Sequence, residues 1–412
     1  MKTVGIIAEY NPFHNGHAYH ITAAKEMTGA DYCIVVMSGD FVQRGAPAII
    51  DKYARAQAAL ENGADLVLEL PVCYSASSAE YFASSAVALL DKLGVTDTLC
   101  FGSECGDIRV LSELADALLN ETEEFKHILK QCMKAGSSYP QARNRALSAA
   151  APHLTDILHV LQSPNNILGI EYIKAIRKRQ CSIQPYTLSR LGAGYHAADL
   201  EASYSSALAI RESISMTNDI GYIKEQVPPN VYETMKEAFG HTFPILPDDL
   251  SPLLSYKLLL EQTQGFHSYL DIDGSFSDRL VRMLPSSMNF IDFCEQLKTK
   301  NMTYTRVARN LLHILLNIYS EDMDAFRTDD YIYYARMLGF KKGAEPLLSA
   351  VKERSEIPLL SKPADAANII AHTNGHKMFD ADIRAAHVYS LLVQQKFGGS
   401  FQNEYRSRII VI

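Results

Sequence analysis

The amino-acid sequence predicts an α/β protein in which a parallel sheet covered by helices is followed by a mainly helical C-terminal domain. Two observations predict this fold. In the first hundred residues, short apolar runs alternate with segments of helical periodicity, which is the order that builds a parallel sheet. From residue 218 the alternation stops, and helical segments such as 253–262 and 303–318 dominate. A chain of 412 residues has room for two domains, which we place at 1–217 and 218–412.

The predicted strands are short and apolar, and the helices between them stop near glycines. The strands are predicted at residues 4–8, 32–37, 66–70, 98–102 and 184–189. The helices at 17–28, 52–62 and 79–93 are followed by Gly29, Gly63 and Gly94. Residues 107–150 are predicted to be helical, and Pro164 begins a further helix. Because open parallel sheets bind ligands beyond the carboxyl ends of their strands, the loops after the strands are the candidate site.

Composition narrows the class of protein. The longest apolar stretches fall far short of the roughly 20 residues that span a bilayer, so no transmembrane helix and no membrane partner are expected. The seven cysteines are an odd number without a Cys-x-x-Cys pair, which favours reduced thiols and a cytoplasmic location. The formal net charge of −8 weighs against an extensive nucleic-acid surface but allows a local basic patch.

The loop after the first strand, EYNPFHNGH, carries the strongest chemical signal. His14 and His17 are three residues apart where a helix begins, and Gly16 lets a phosphate approach the backbone. Both imidazoles can donate hydrogen bonds to charge that develops on one phosphate. The alternatives are scattered polar histidines or a metal site with helical spacing, which lacks further ligands. By spacing alone, His20 is interpreted as structural.

Residues 11–17 resemble the His-x-Gly-His motif of the nucleotidyltransferase superfamily, which shares its Rossmann-like fold with class I aminoacyl-tRNA synthetases. In that superfamily the two motif histidines stabilise the α-phosphate while pyrophosphate leaves. A later Ser/Thr-rich stretch ending Ile-Arg contacts the leaving phosphates, and residues 205–211, SSALAIR, match it. Leu208 stands where a threonine is common, and by itself the stretch is an ordinary capped helix start. The resemblance implies that His14, His17 and Arg211 are catalytic.

Further segments narrow the resemblance to one family. EYNPFHNGH, MSGDFVQRG, residues 52–55, GADLVLELP, FGSE, SPNNILGIEY and the final Ile-Arg are similar to the bacterial tRNA(Met) cytidine acetate ligase family. Its members activate acetate with ATP to acetyl-adenylate and transfer the acetyl group to the wobble cytidine of elongator tRNA(Met), forming N4-acetylcytidine. The resemblance implies ATP as a substrate, Mg²⁺ as a cofactor, and acetate and elongator tRNA(Met) as partners.

The resemblance also implies an ATP site at the strand ends. Gly102 would admit the nucleotide against the backbone, Asn165 would cap a helix or bond the ribose, and Arg190 would pair with phosphate. Without the family these three positions are a turn glycine, a cap and a surface cation. The implied ATP-binding residues are Ile7, Ala8, Glu9, Tyr10, Asn11, Pro12, Phe13, His14, Asn15, Gly16, His17, Ala18, Tyr19, His20, Gly102, Asn165, Arg190 and Leu191.

Two further sets of residues are candidates for the other substrates. In the loop after the second strand, Gln43 and Arg44 supply donors for acetate, whereas Asp40 would repel it unless otherwise employed. The cations near the end of the helix that Pro164 begins are candidate tRNA contacts, although such residues are usually a solvated helix face. They are Lys174, Arg177, Lys178 and Arg179.

Two rival functions remain open on the sequence. A small-molecule adenylyltransferase of cofactor synthesis uses the same first motif but keeps AMP in its product. A non-catalytic RNA-binding protein with a retained nucleotide pocket would bind tRNA without turning over ATP, although intact His14, Gly16 and His17 argue against it. The long helical C-terminal region favours a macromolecular substrate, with an oligomerisation domain as the alternative. The oligomeric state is not determined by the sequence.

Overall fold

A computed structural model describes residues 1–190, 205–284 and 289–412. Within them, eight strands form one sheet in the order β10-β8-β5-β2-β1-β6-β7, with β9 beside β8, and β3 pairs with β4 in a separate hairpin. The strands are β1 Thr3–Ala8, β2 Tyr32–Ser38, β3 Phe41–Val42, β4 Ala46–Pro47, β5 Leu66–Leu70, β6 Thr98–Ser103, β7 Gln184–Ser189, β8 Ala335–Phe340, β9 Leu359–Leu360 and β10 Ile410–Val411.

Helices cover both faces of this sheet. They are α1 Asn15–Thr28, α2 Lys52–Glu61, α3 Val72–Ser75, α4 Ala79–Lys92, α5 Ile108–Leu119, α6 Glu123–Lys134, α7 Tyr139–Ala150, α8 Pro164–Arg179, α9 Ala207–Thr217, α10 Pro229–Ala238, α11 Ser251–Glu261, α12 Gly274–Arg282, α13 Phe290–Leu297, α14 Tyr304–Leu316, α15 Ser320–Thr328, α16 Glu345–Arg354, α17 Ala366–Ile369 and α18 Thr373–Phe397. Six short 3₁₀ helices connect some of them within the described residues.

Alternating side chains divide the sheet between two apolar cores. On β2, Cys33, Val35 and Met37 pack with α1 and α2, whereas Ile34 and Val36 face the core that α4 and the C-terminal helices share. All five are fully buried. A strand that is apolar at every position is therefore buried on both faces, as is typical of parallel sheets.

The predicted fold class is confirmed. All five predicted strands are present, with bounds within one residue of those expected from the apolar runs. The prediction missed β3 and β4, two-residue strands in the loop after β2, because runs this short leave no periodic pattern.

The C-terminal half is mainly helical, as expected, but it also contributes β8, β9 and β10 to the same sheet. β8 runs antiparallel to β5, and β10 adds a parallel strand to its other edge. The sequence of β8, ARMLGF, has an interior arginine and glycine, so its pattern did not indicate a buried strand. The boundary at 217/218 stays a prediction, and the sheet runs across it.

The sheet has its topological switch point at β1. From β1 the chain adds β2 and β5 on one side and then returns to place β6 and β7 on the other. A crevice opens at the carboxyl ends of strands where the order reverses, and ligands bind there in open α/β sheets. Among the described helices, none combines the length and apolar character needed to cross a bilayer.

Candidate functional site

A cavity of about 230 Å³ lies at this switch point. It is enclosed by the carboxyl ends of β1, β6 and β7 and by the amino ends of α1, α8 and α9. Its described lining residues are Ile7, Ala8, Glu9, Tyr10, Asn11, His14, Gly16, His17, Tyr19, His20, Gln43, Arg44, Phe82, Phe101, Gly102, Asn165, Leu168, Tyr172, Leu188, Ser189, Arg190, Ser205, Ser206, Ala207, Leu208 and Arg211. Residues far apart in sequence therefore share one space.

The two motif histidines cap α1 reciprocally. Nδ1 of His14 accepts a hydrogen bond from the Gly16 N–H at 3.1 Å, and Nδ1 of His17 accepts one from the His14 N–H at 3.2 Å. This is the geometry of a capping box, with imidazoles in place of hydroxyl and carboxylate groups. Because each Nδ1 is an acceptor, a neutral ring carries its proton on Nε2. Both rings thus offer Nε2–H donors to a bound anion.

The surroundings keep these rings neutral. Burial, together with the nearby Arg190 and Arg211 guanidinium groups, lowers the pKa of His14 to about 3. Burial also lowers the pKa of His17, with His14 as the next cause. The two rings stack with centroids 3.7 Å apart. Near pH 7 they can stabilise negative charge by hydrogen bonding but are not proton carriers.

His20 lies one turn further along α1 and also lines the cavity. Burial lowers its pKa to about 4, so the ring is neutral near pH 7. Its Nε2 is shielded from solvent and has no hydrogen-bond partner among the described residues. A buried polar atom without a partner is rare in native proteins. His20 thus lines the cavity, and its structural role stays a prediction.

Arg211 reaches back from α9 to the first loop. Its Nη1 donates to the Asn11 carbonyl at 2.6 Å, which links the two sequence motifs across the cavity. Arg190 follows β7 on the opposite side, and a Cβ at Gly102 would lie 3.4 Å from its Cγ. The histidine pair therefore lies near two guanidinium groups. Leu191 is outside the described residues.

Glu104 and Asn166 lock the end of β6 to the start of α8. Glu104 accepts hydrogen bonds from Nδ2 of Asn165 at 2.7 Å and from the Asn166 N–H at 2.8 Å. In return, Oδ1 of Asn166 accepts hydrogen bonds from the N–H groups of Glu104 and Cys105. Because Glu104 engages Nδ2 of Asn165, the amide is oriented for an incoming nucleotide. Sequence reasoning missed both locking residues, although FGSE and SPNN contain them.

An apolar wall faces the histidines across the cavity, formed by Phe82, Phe101, Leu168 and Tyr172. The Phe101 and Tyr172 rings have centroids 5.5 Å apart. Gly169 permits this packing, because a Cβ there would come within 2.5 Å of the Phe101 ring. Such a wall suits a flat nucleobase. These residues were not predicted, because apolar side chains inside helices and strands look like ordinary core.

Several predicted residues do not line the cavity. Pro12, Phe13, Asn15 and Ala18 shape the loop and the first turn of α1 instead. Phe13, for example, is buried against the rings of Tyr10 and His17.

The three predicted acetate residues separate into two groups. Gln43 and Arg44 line the cavity, and Nε2 of Gln43 is buried without a partner in the described part of the chain. Asp40 lies outside the lining, where Oδ1 accepts the Lys52 N–H at 2.9 Å and the carboxylate lies 3.7 Å from the Lys52 ammonium. The structure thus employs Asp40 elsewhere.

Each cation of the predicted tRNA patch has an acidic partner. Lys174 pairs with Glu171, Arg177 with Asp116, Lys178 with Glu80, and Arg179 with Asp91 and Asp330. The structure therefore offers little excess positive charge on this face of α8.

Residues 52–55 support the site without lining it. Arg55 is buried, and its guanidinium donates to the carbonyls of Glu9 and Ser38, which joins the ends of β1 and β2. Lys52 belongs to what we call the buried ion cluster, formed by Lys52, Glu69, Arg336 and Glu404. Its Nζ lies 2.9 Å from Glu69 and 2.8 Å from Glu404, and Arg336 contacts both carboxylates.

Comparisons with known proteins agree with this geometry. A family model described as HIGH nucleotidyl transferase matches residues 1–404. A tRNA(Met) cytidine acetate ligase of Acetivibrio thermocellus is 36% identical over the full length of both chains. One from Caldanaerobacter subterraneus subsp. tengcongensis is 39% identical and covers 95% of each.

Solved structures of TmcAL from Thermotoga maritima are similar over the whole of both chains at 30% sequence identity. The apo form superposes with a TM-score of 0.94, and the form bound with alpha-thio ATP with a TM-score of 0.91. The chain therefore belongs to the HIGH nucleotidyl transferase family and, within it, to the tRNA(Met) cytidine acetate ligases.

Proposed function

We propose that this protein uses ATP to activate acetate and transfers the acetyl group to the wobble cytidine of elongator tRNA(Met), releasing AMP and pyrophosphate. The observation that carries the proposal is the pairing of two neutral Nε2–H donors, His14 and His17, with Arg190 and Arg211 around one cavity. This set of donors matches a phosphate that gains charge during displacement. Sequence identity of 36% and 37%, over essentially the full length, to relatives that are named for this activity supports the proposal.

In the first step an acetate oxygen attacks the α-phosphorus of ATP, and the bond from that phosphorus to the leaving pyrophosphate breaks. His14 and His17 donate to the oxygens of the crowded α-phosphate, where charge accumulates. Arg211, held against the first loop through Asn11, is placed for the departing phosphates. The protein contributes positioning and electrostatic stabilisation and forms no covalent intermediate.

In the second step the exocyclic amine of cytidine attacks the acetyl carbonyl. The bond between the carbonyl carbon and the phosphate oxygen breaks, AMP leaves, and the nitrogen loses one proton. The cytidine must be unstacked from the anticodon loop to reach this carbonyl.

The adenosine end of ATP is assigned to Gly102 and Asn165, and Arg190 beside them is assigned to the phosphates, with Leu191 next in the chain. The apolar wall beside them suits the adenine ring, and the Asn165 amide is oriented by Glu104. The similarity to a relative solved with alpha-thio ATP supports binding of ATP in this cavity.

We place acetate beside Gln43 and Arg44. Nε2 of Gln43 is a buried donor that lacks an acceptor in the ranges described, which is the condition a carboxylate oxygen would relieve. The Gln43 backbone N–H already donates to Glu9 at 2.9 Å, so the residue is held in place. Asp40 is assigned to the structural contacts of Lys52.

The residues of this cavity would hold Mg²⁺ only together with the phosphates of bound ATP. The described residues contain no cluster of three or more histidine, cysteine or acidic side chains able to hold a metal. Glu9 supplies the only carboxylate among the described lining residues. Mg²⁺ commonly binds one or two carboxylates together with substrate phosphates, and it would neutralise phosphate charge when bound here.

We assign ATP chemistry to residues 1–217 and tRNA contact to residues 218–412. The cavity lining supports the first assignment, since all of its described members precede residue 218. A cytoplasmic location accords with a tRNA substrate and with seven free cysteines.

Isotope exchange tests the first step. The purified protein should catalyse exchange between ATP and pyrophosphate that depends on acetate and needs no tRNA, and His17→Ala should lower its rate by about 10²–10³. His127→Ala removes an exposed histidine on α6 and should leave exchange unchanged. Full exchange in His17→Ala would overturn the proposal.

Labelled acetate tests the second step and separates the rival functions. Incubation with ATP and tRNA should yield labelled N4-acetylcytidine after nucleoside analysis. A small-molecule adenylyltransferase would retain AMP in its product, and a non-catalytic RNA-binding protein would retain tRNA without consuming ATP.

A further inference from the structure

A row of arginine side chains extends from the cavity along α14. Arg211 and Arg44 line the cavity, Arg309 lies beside Arg44, and Arg306 lies one turn earlier on the same face of α14. We call Arg44, Arg309 and Arg306 the arginine row. Burial lowers the pKa of Arg309, Asp271 opposes this shift, and the Arg306 and Arg44 guanidinium groups add to it. Arg309 therefore lies close enough to Arg44 and Arg306 to feel the charge of both.

The loop that carries Arg44 is packed tightly on α14. Gly45 has φ of +73°, and a Cβ there would lie 2.3 Å from the Arg309 backbone nitrogen, so only glycine fits. Nη1 of Arg309 also donates to the Gln43 carbonyl at 3.5 Å. Arg44, between these two contacts, is thus held next to Arg309 at the edge of the cavity.

The positive charges of the arginine row have fewer acidic partners than those on α8. Arg306 is exposed, and its side chain makes no ion pair or hydrogen bond within the described ranges. Nε of Arg309 is buried and lacks a partner there. Asp271 is the acidic group that acts on Arg309, whereas every predicted cation of α8 has its own acidic partner. Guanidinium groups with spare donors, as in Arg306 and Arg309, favour phosphate ligands.

We propose that Arg306 and Arg309, the part of the arginine row beyond the acetate residue Arg44, bind phosphates of the tRNA backbone next to the cytidine that enters the cavity. This inference rests on the proposed function. Phosphate could come from ATP or from tRNA, and position distinguishes the two, because Arg306 does not line the cavity. Its ligand must extend beyond the nucleotide pocket, as a polynucleotide does. The Arg306 end also lies in the first turn of α14, where helix amides favour anions.

The test compares two charge reversals of equal size. Arg306→Glu alters the exposed end of the arginine row, and Lys178→Glu alters an exposed, paired cation of α8. Binding of a tRNA(Met) transcript is measured over a range of salt concentrations, and acetate-dependent exchange is measured without tRNA. Arg306→Glu should weaken tRNA binding roughly tenfold and reduce the salt slope by about 0.7 for each lost phosphate contact. Exchange should stay at the wild-type rate.

The outcomes separate the two proposals. If Arg306→Glu bound tRNA with the affinity and salt slope of the unaltered protein, the proposed phosphate binding by the arginine row would be overturned. An equal loss of tRNA affinity in Lys178→Glu would overturn it as well. A higher KM for ATP with unchanged tRNA affinity would also overturn it, because the phosphate would then be that of ATP. Absence of exchange in the unaltered protein would instead overturn the proposed function. Arg309→Lys, which keeps the charge but loses the planar donors, should weaken binding less than Arg306→Glu.

Discussion

The cavity and the buried ion cluster lie on either side of the loop that follows β2, and both bury cations. In the buried ion cluster two cations, Lys52 and Arg336, meet two carboxylates, Glu69 and Glu404, and the Asp40 carboxylate lies 3.7 Å from Lys52. The cavity holds cations without equal numbers of acids, and three of its polar atoms are buried without partners in the described chain: Tyr10 Oη, His20 Nε2 and Gln43 Nε2. Paired buried charges stabilise the fold, and unpartnered polar atoms of residues that line a cavity are candidate ligand contacts.

The largest expected effect lies in the buried ion cluster. Glu404→Gln removes the carboxylate that Lys52 and Arg336 share, so both buried cations lose an ion-pair partner. We expect the free energy of unfolding to fall by about 3–5 kcal/mol, measured by denaturant titration. The matched control is Glu124→Gln on the exposed surface of α6. Equal stability of the two variants would contradict the structural role.

The histidine pair should show the reverse behaviour. His14→Ala or His17→Ala should lower the rate of acetate-dependent exchange by about 10²–10³, the loss typical of one oxyanion donor. Stability should fall only by about 1 kcal/mol through the lost helix cap. Rates and thermal unfolding are measured on the same samples. If these variants lost more free energy of unfolding than activation free energy for exchange, the histidine pair would be structural, like the buried ion cluster.

The pH dependence of stability offers a smaller effect that distinguishes the two regions. The His14 pKa is lowered to about 3 by burial, so the unfolded chain takes up a proton below about pH 6.5 that the folded protein excludes. Stability is therefore full above this range and falls as the pH drops. In His14→Gln, the decrease in the free energy of unfolding between pH 7 and pH 5 should be smaller by about 2 kcal/mol. An unchanged slope in that variant would show that the buried neutral ring is not the cause.

The smallest expected effect concerns acetate. Gln43→Leu removes the unpartnered donor and should raise the KM for acetate about tenfold while leaving the KM for ATP unchanged. Gln57→Leu, at a half-buried position of α2 outside the cavity lining, is the control. If the two KM values rose together, Gln43 would serve the nucleotide and not acetate.

Local features account for the parts of the fold that the sequence predicted. The apolar runs of β1 and β2 and the glycines after the helices are contiguous, so their periodicity reveals them without knowledge of the fold. β8 was missed because its burial depends on β5, which is more than 260 residues away in the chain. A strand of this kind is defined by its neighbour and not by its own pattern.

The sequence by itself determined the five strands of the N-terminal half, from their apolar runs, and the chemistry of the first loop, because the spacing of His14 and His17 at a helix start already places two donors together. Only the tertiary structure decided which distant residues join them. The lock between Glu104 and Asn165, the pairing of the α8 cations and the arginine row each link separate elements. Contacts of this kind depend on how the helices pack on the sheet. The types of the two contacting residues do not indicate that they are close in the folded protein.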